Sequence, residues 1–392
     1  MRVTRQKAKE ILYSIAVKPE TETVSVRDSF MRVLAEDIHT ERDYPDCRKS
    51  AVDGYAHIVG HETYNPIGDT GAGRKGAEVI NEDETVFVMT GGNVPENAEA
   101  VARVEDAVIE GGRVHLPESK VGENINSIGE ENFAGDLVAS KGSVIKDGLF
   151  PVLFYLGKGS VQVYKKPKIG IFVTGDEILE AGDEYRKGFV YNTNRYILES
   201  MFNKHGFDYE YFGHVKDSKE EVAAAFEKMS GQYDIIISSG GISMGKYDYV
   251  KEVFSTCGYE ILFSRTAIKP GSPLMAAKKD GGIFIGMPGY PAAFMTNLIF
   301  YIVPFLKKCY GYETFENDEI DVVMDGKTSS REGRFDINRA VVRAQNGVYT
   351  ASDAGTQKTS HFNSFARVNA LLLLDEETGT LKTGDRAKAV FL

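Results

Sequence analysis

Three glycine-rich loops combine backbone able to hold an anion with carboxylates able to hold a cation: Val173-Thr-Gly-Asp-Glu177, Ser238-Ser-Gly-Gly-Ile-Ser-Met-Gly245 and Gly286-Met-Pro-Gly-Tyr-Pro291. Glycine allows tight turns and close approach to a ligand, and amides at such turns bind anions. Asp176, Glu177 and Asp248 add negative charge, which an anion site alone would not recruit. The combination suits phosphate chemistry assisted by magnesium, a metal that takes oxygen ligands from a few carboxylates, phosphates and water. Each acid also has a plainer use. Asp176, Glu177 and Asp217 could cap the segments that follow them, and Asp248 could compensate a helix dipole. Lys269, in Ile268-Lys-Pro-Gly-Ser-Pro273, precedes a rigid turn that directs its ammonium, so a phosphate or oxyanion contact competes with simple solvation.

Such loops need a scaffold. Residues 165–311 alternate strand and helix patterns, with apolar strand runs at 169–173, 209–215, 234–238, 261–263 and 283–285. Helical patterns cover 192–205, closed by Gly206, and the stretch from Ser218 to Ser230, where Ser218 and Glu221 predict a capping box. Two more helices are predicted at 247–256 and from Pro291 onward. The alternation predicts a parallel sheet covered by helices on both faces, with ligands bound outside the carboxyl ends of its strands. All three loops follow strands of that sheet.

The flanks differ in texture. Residues 2–15 carry apolar positions at helical spacing, and 26–33 predict a second short helix with Ser25 as its cap. Short β-like runs among Gly, Asn and Pro turns fill 44–148, including Ser50-Ala-Val-Asp-Gly-Tyr-Ala56, whose Asp-Gly reads as a turn signal, and Met89-Thr-Gly-Gly92. The segment after 311 returns to β texture, with runs at 370–374 and 387–392 around a turn-rich stretch.

The 392 residues carry a net charge of −11 without a basic block, which disfavours nucleic-acid and anionic-membrane partners. Three scattered cysteines, Cys47, Cys257 and Cys309, argue against a disulfide framework and for a reducing, cytoplasmic setting. The apolar run at 292–306 is too short to span a bilayer and reads as a buried helix.

Taken in order, these motifs resemble the molybdopterin molybdotransferases, the family that includes the E domain of gephyrin. The likeness runs nearly the full length, through Ser50-Ala-Val-Asp-Gly-Tyr-Ala, Met89-Thr-Gly-Gly, Thr174-Gly-Asp-Glu, Ser238-Ser-Gly-Gly-Ile-Ser-Met-Gly with Asp248, Ile268-Lys-Pro-Gly, Pro288-Gly-Tyr-Pro and Ser360-His. It implies an α/β and β multidomain subunit in an elongated homodimer. Its parts would be an N-terminal helical and linking domain (1–43 plus 140–165), an inserted mostly β domain (44–139), a three-layer α/β molybdopterin-binding domain (166–311) and a C-terminal β-barrel-like domain (312–392). The implied reaction inserts molybdate into adenylylated molybdopterin, with Mg2+-dependent cleavage of the adenylyl phosphate and release of AMP. The molybdopterin adenylyltransferase is then a candidate partner.

By motif, the resemblance assigns catalytic roles to Asp53, Thr90, Glu177, Asp217, Asp248 and Lys269, with Glu177, Asp217 and Asp248 as metal ligands. Asp53 and Thr90 would complete the site across the dimer. Cofactor contacts fall to Thr174, Gly175, Ser239, Gly240, Gly241, Ser243, Gly245, Pro270, Gly271, Ser272, Pro288 and Gly289, with Arg334 and Ser360 from the C-terminal part. Departures sit inside the loops: Ser272 stands where the family often has a second lysine, and Tyr290 where it usually has asparagine. Tungstate specificity, a divergent paralogue that only binds molybdopterin or a protein partner, and a nucleotide pyrophosphatase sharing the α/β domain remain the competing readings.

Overall fold

The computed structural model describes residues 1–70, 79–241, 253–254 and 256–392. The chain divides into two compact units. One comprises Met1–Glu36, Lys141–Pro151 and Gly159–Leu392, the other Asp37–Ser140 and Val152–Lys158.

The first unit is built on a seven-stranded sheet: β1 (Arg2–Val3), β2 (Ile169–Thr174), β3 (Glu210–Val215), β4 (Ile235–Ser239), β5 (Glu260–Thr266), β6 (Pro273–Lys279) and β7 (Gly282–Met287), in the spatial order β1-β5-β6-β7-β4-β2-β3. Every residue of β2 and β4 is buried, as expected for central strands covered on both faces. Alternate residues split between two cores. Ile169, Ile171, Ile235, Ile237, Ile283 and Ile285 pack with helix α1 (Arg5–Ser14), helix α2 (Thr193–His205) and the helical stretch from Pro291 to Cys309. Phe172, Ile236 and Phe284 face the other way, onto Val222, Phe226 and Met229 of helix α3 (Lys219–Met229).

The sheet is mixed rather than wholly parallel. Strands β7, β4, β2 and β3 are parallel, as are β1 and β5, but β6 runs antiparallel to both its neighbours. The cause is local. Asp280 and Gly281 both take positive φ (46° and 86°), the backbone of a two-residue hairpin that returns β6 directly into β7. From β2 the chain passes through α2 to β3 at the edge, then through α3 to β4 on the other side of β2. The loops after β2 and β4 therefore part in opposite directions and leave a crevice between them.

Side chains cap the starts of α1, α2 and α3. Thr4 accepts from the Lys7 amide at the start of α1, and Asn192 from the Arg195 amide at α2, which Gly206 ends with φ of 68°. Only the Ser218 half of the expected capping box forms. Ser218 accepts from the Glu221 amide, while its own N–H donates to the Lys216 carbonyl. The helix expected over 26–33 is instead a single 3-10 turn, Val26–Asp28, capped by Ser25. Met31 then turns left-handed (φ 61°), and the following backbone is drawn into bridges of Val33 with Val144 and Leu34 with Val163. The long helix from Pro291 is α4 (Pro291–Asn297), a π turn over Leu298–Ile302, and α5 (Val303–Cys309). Pro304 has no N–H, so a regular ladder cannot run through it, and the wide turn just before absorbs the mismatch. By length and composition this stretch could cross a membrane, but it is 83% buried in the core.

At the C-terminal end, strands Phe335–Gln345, Val348–Asp353, Ile320–Met324, Arg386–Phe391 and Ala370–Leu374 close into a five-stranded barrel. The Ile268–Lys269 strand adds to it in parallel, pairing with Phe335–Asp336. This ties the lysine loop of the α/β layer to the barrel wall.

The second unit carries a six-stranded sheet in which Gly54–His57 lies between Ala100–Arg103 and Glu84–Val88. Gly54, which the sequence marks both as part of a turn signal and as the start of a β-like run, is a strand residue. A Cβ there would sit 2.0 Å from the Ala102 carbonyl oxygen, so close strand approach is what demands glycine.

Candidate active site

A cavity of about 1180 Å3 opens at the carboxyl ends of β2, β4 and β7. All three glycine loops reach it: Thr174, Gly175 and Glu177 from the first, Ser239, Gly240 and Gly241 from the second, Pro288 and Gly289 from the third. Asp217, Lys269, Pro270, Gly271, Ser272, Arg334 and Ser360 line it too. Asp248, Ser243 and Gly245 lie outside the described residues. Asp53 and Thr90 belong to the second unit.

The loops are interlocked through backbone that only glycine permits. Gly175 (φ 141°) turns the chain out of β2, and its carbonyl accepts from His214 Nε2 at 2.6 Å. Gly240 (φ 95°) donates its N–H to the Met287 carbonyl, and a Cβ on it would meet Thr174 Oγ1 at 2.7 Å. Asn194, in the first turn of α2, joins two loops. Its amide donates to Ser239 Oγ at 2.7 Å and to the Gly289 carbonyl at 2.9 Å. Thr174 Oγ1 and Asn194 Oδ1 are buried without a partner among the described residues, leaving hydrogen-bonding capacity for a polar ligand.

Asp176, Glu177 and Asp217 do not cap helices as their plainer reading had it. Asp176 and Glu177 are followed by a short strand, Ile178–Leu179, and Ser218 rather than Asp217 caps α3. Asp176 Oδ1 accepts from the Asp217 amide at 3.3 Å, joining the loop after β2 to the loop after β3. Among the described residues no group of three or more His, Cys, Asp or Glu could hold a metal. Glu177 and Asp217 both reach the cavity, and two carboxylates suit a magnesium ion that takes its remaining ligands from substrate phosphate and water.

The barrel contributes Arg334 and Ser360. Arg334 is held by a bidentate pair to the buried Asp336, with Nε at 2.6 Å and Nη2 at 2.9 Å. Asp336 is itself paired to Lys269 in the strand ladder, which sets the arginine beside the lysine loop. Ser360 rides on a loop pinned by Arg339, only 3% exposed, whose guanidinium donates to the carbonyls of Thr356, Lys358 and His361. Ser272 is committed locally: its hydroxyl donates to the Thr266 carbonyl at 2.7 Å. Tyr290 is the N-cap of α4 without a capping side-chain bond and stays 65% exposed at the cavity.

Sequence reasoning missed Arg2, Arg265, Asn192, Thr193 and Asn194, which also line the cavity. The α2 residues could have been found, since the predicted helix begins among them. The two arginines carry no local signal and meet only through the pairing of β1 with β5.

In the second unit Asp53 Oδ1 accepts from both the amide and the hydroxyl of Thr90. These bonds, the amide's foremost, hold the Asp53 carboxyl below the usual carboxylate range.

Comparison with known proteins places this geometry in a family. Three family models match in succession: the MoeA N-terminal region (domain I and II) at 3–157, a probable molybdopterin binding domain at 170–308, and the MoeA C-terminal region (domain IV) at 321–392. A molybdopterin molybdenumtransferase of Haemophilus influenzae is 28% identical over 97% of this chain and 96% of its own length. One from Bacillus subtilis is 28% identical over 95% and 90%. The crystal structure of a molybdopterin biosynthesis MoeA protein from Pyrococcus horikoshii OT3 superposes over all of both chains, with TM-score 0.83 and 25% identity. The chain belongs to the MoeA family, the molybdopterin molybdenumtransferases.

Proposed function

We propose that this transferase of molybdenum cofactor biosynthesis inserts molybdate into adenylylated molybdopterin, with cleavage of the adenylyl phosphate and release of AMP. The observation that carries the reading is convergence: three loops of the α/β layer, Lys269, and Arg334 and Ser360 of the barrel line one cavity. In this reading the amides at the Gly175 and Gly241 turns and in the first turn of α2 hold phosphate oxygens. Lys269 compensates charge on the phosphate or the incoming oxyanion, and Ser239 and Thr174 orient polar groups of the ligand. Glu177 and Asp217, with Asp248, would hold Mg2+, which supplies charge neutralisation at the phosphate. The dithiolene of molybdopterin supplies the sulfur, so no cysteine of the protein is needed. Asp53 and Thr90 act from the second subunit of a homodimer working in the cytoplasm.

The test is direct. Purified protein is incubated with adenylylated molybdopterin, molybdate and magnesium, and AMP release is followed together with cofactor formation. Coupled production of both supports the reading; tight molybdopterin binding with no AMP above background sinks it.

A further inference from the structure

Among the described residues, four basic side chains line the cavity: Arg2, Arg265, Lys269 and Arg334. Arg334 is neutralised by Asp336. Among the described residues the other three have no acidic partner. Arg2 and Arg265 are moreover register partners across the parallel β1–β5 pair, so their side chains leave the sheet as neighbours. Like charges placed opposite each other on neighbouring strands repel and cost stability. That cost turns into a gain when an anion sits between them, because a guanidinium presents forked donors matched to the oxygens of phosphate-like groups. Ser272 adds no charge at this rim, and its hydroxyl is already spent on Thr266.

We infer that Arg2 and Arg265 form a subsite for a tetrahedral oxyanion at the β1–β5 edge of the cavity, beside Lys269. The inference rests on the reading of the cavity given above. Its ligand is a doubly charged XO4 group, met either as free molybdate or as the phosphate of the nucleotide.

Equilibrium binding to the full-length protein, with sodium molybdate alone and with AMP alone, separates these sources. In the Arg2→Gln/Arg265→Gln double variant at low ionic strength, affinity for one of the two anions should fall at least about 10-fold. Loss for molybdate identifies the free oxyanion, and loss for AMP the nucleotide phosphate. Arg265→Lys should keep most of the binding, because the charge remains. Unchanged affinity for both anions overturns the inference, as does a wild-type protein that binds neither. Should the double variant fail to fold, Arg265→Gln alone decides by the same readout. A wild-type protein that binds these anions through the arginines yet releases no AMP would overturn the proposed reaction and not this subsite.

Discussion

One oxygen of Asp53 accepts two hydrogen bonds from Thr90, from the backbone N–H at 2.6 Å and from the hydroxyl at 2.8 Å. The two residues reach each other because Gly54 and Val88 are cross-strand partners, which brings the ends of their strands together. Both bonds favour the carboxylate, so the Asp53 pKa is lowered. A lowered carboxyl pKa favours the folded state above the unfolded-state pKa, and that contribution is lost as pH falls through the folded value. Thr90→Ala removes one of the two bonds. It should move the Asp53 titration, followed by carboxyl NMR, to higher pH, and carry the acid limb of turnover the same way. Thr90→Ser should leave both in place.

Asn194 is the bolt between the loops after β4 and β7. Asn194→Ala strands the buried Ser239 hydroxyl and frees the carbonyl of the exposed Gly289, both at distances of true hydrogen bonds. Leaving buried polar groups unpaired costs about 1–3 kcal/mol. Urea denaturation should report a loss in that range, with turnover reduced by more than the residual folded fraction explains.

His205 closes α2 beside Lys307, Lys204 and Lys146, and burial followed by these charges pushes its pKa down to about 4. The folded state therefore prefers the neutral imidazole. Its stabilising contribution is complete above the unfolded value near 6.5 and drains away as pH falls from there towards 4. Melting temperature should decline through that window, and His205→Gln should flatten the decline. An unchanged slope in the variant would place the acid sensitivity elsewhere.

The central sheet was legible because its apolar runs are continuous and each is punctuated by glycine. The run Leu274-Met-Ala-Ala277 is absent from the predicted strands although Asp280-Gly281 after it is a hairpin signal, and the sheet's antiparallel part is absent with it. Likewise Asn346-Gly347, both at positive φ, announces a barrel hairpin that composition alone left unresolved. The segment 26–33 misled because its local pattern is helical, while its backbone is claimed by strands distant in sequence. Within the cavity, the residues carried by loop motifs could be named in advance. Arg2 and Arg265 could not, since their meeting depends on a parallel pairing between the chain's beginning and β5.

Lys269 offers the most direct test that this cavity is where the adenylyl phosphate is cleaved. It is exposed, lines the cavity and pairs with the barrel through backbone alone, so Lys269→Ala should leave the fold intact. Single-turnover AMP release from adenylylated molybdopterin, with molybdate and magnesium present, should fall at least about 100-fold, the scale of a lost electrostatic contact to developing charge. An unaltered melting temperature would accompany that loss. A near-wild-type rate of AMP release in the folded variant would contradict the assignment of the chemistry to this cavity.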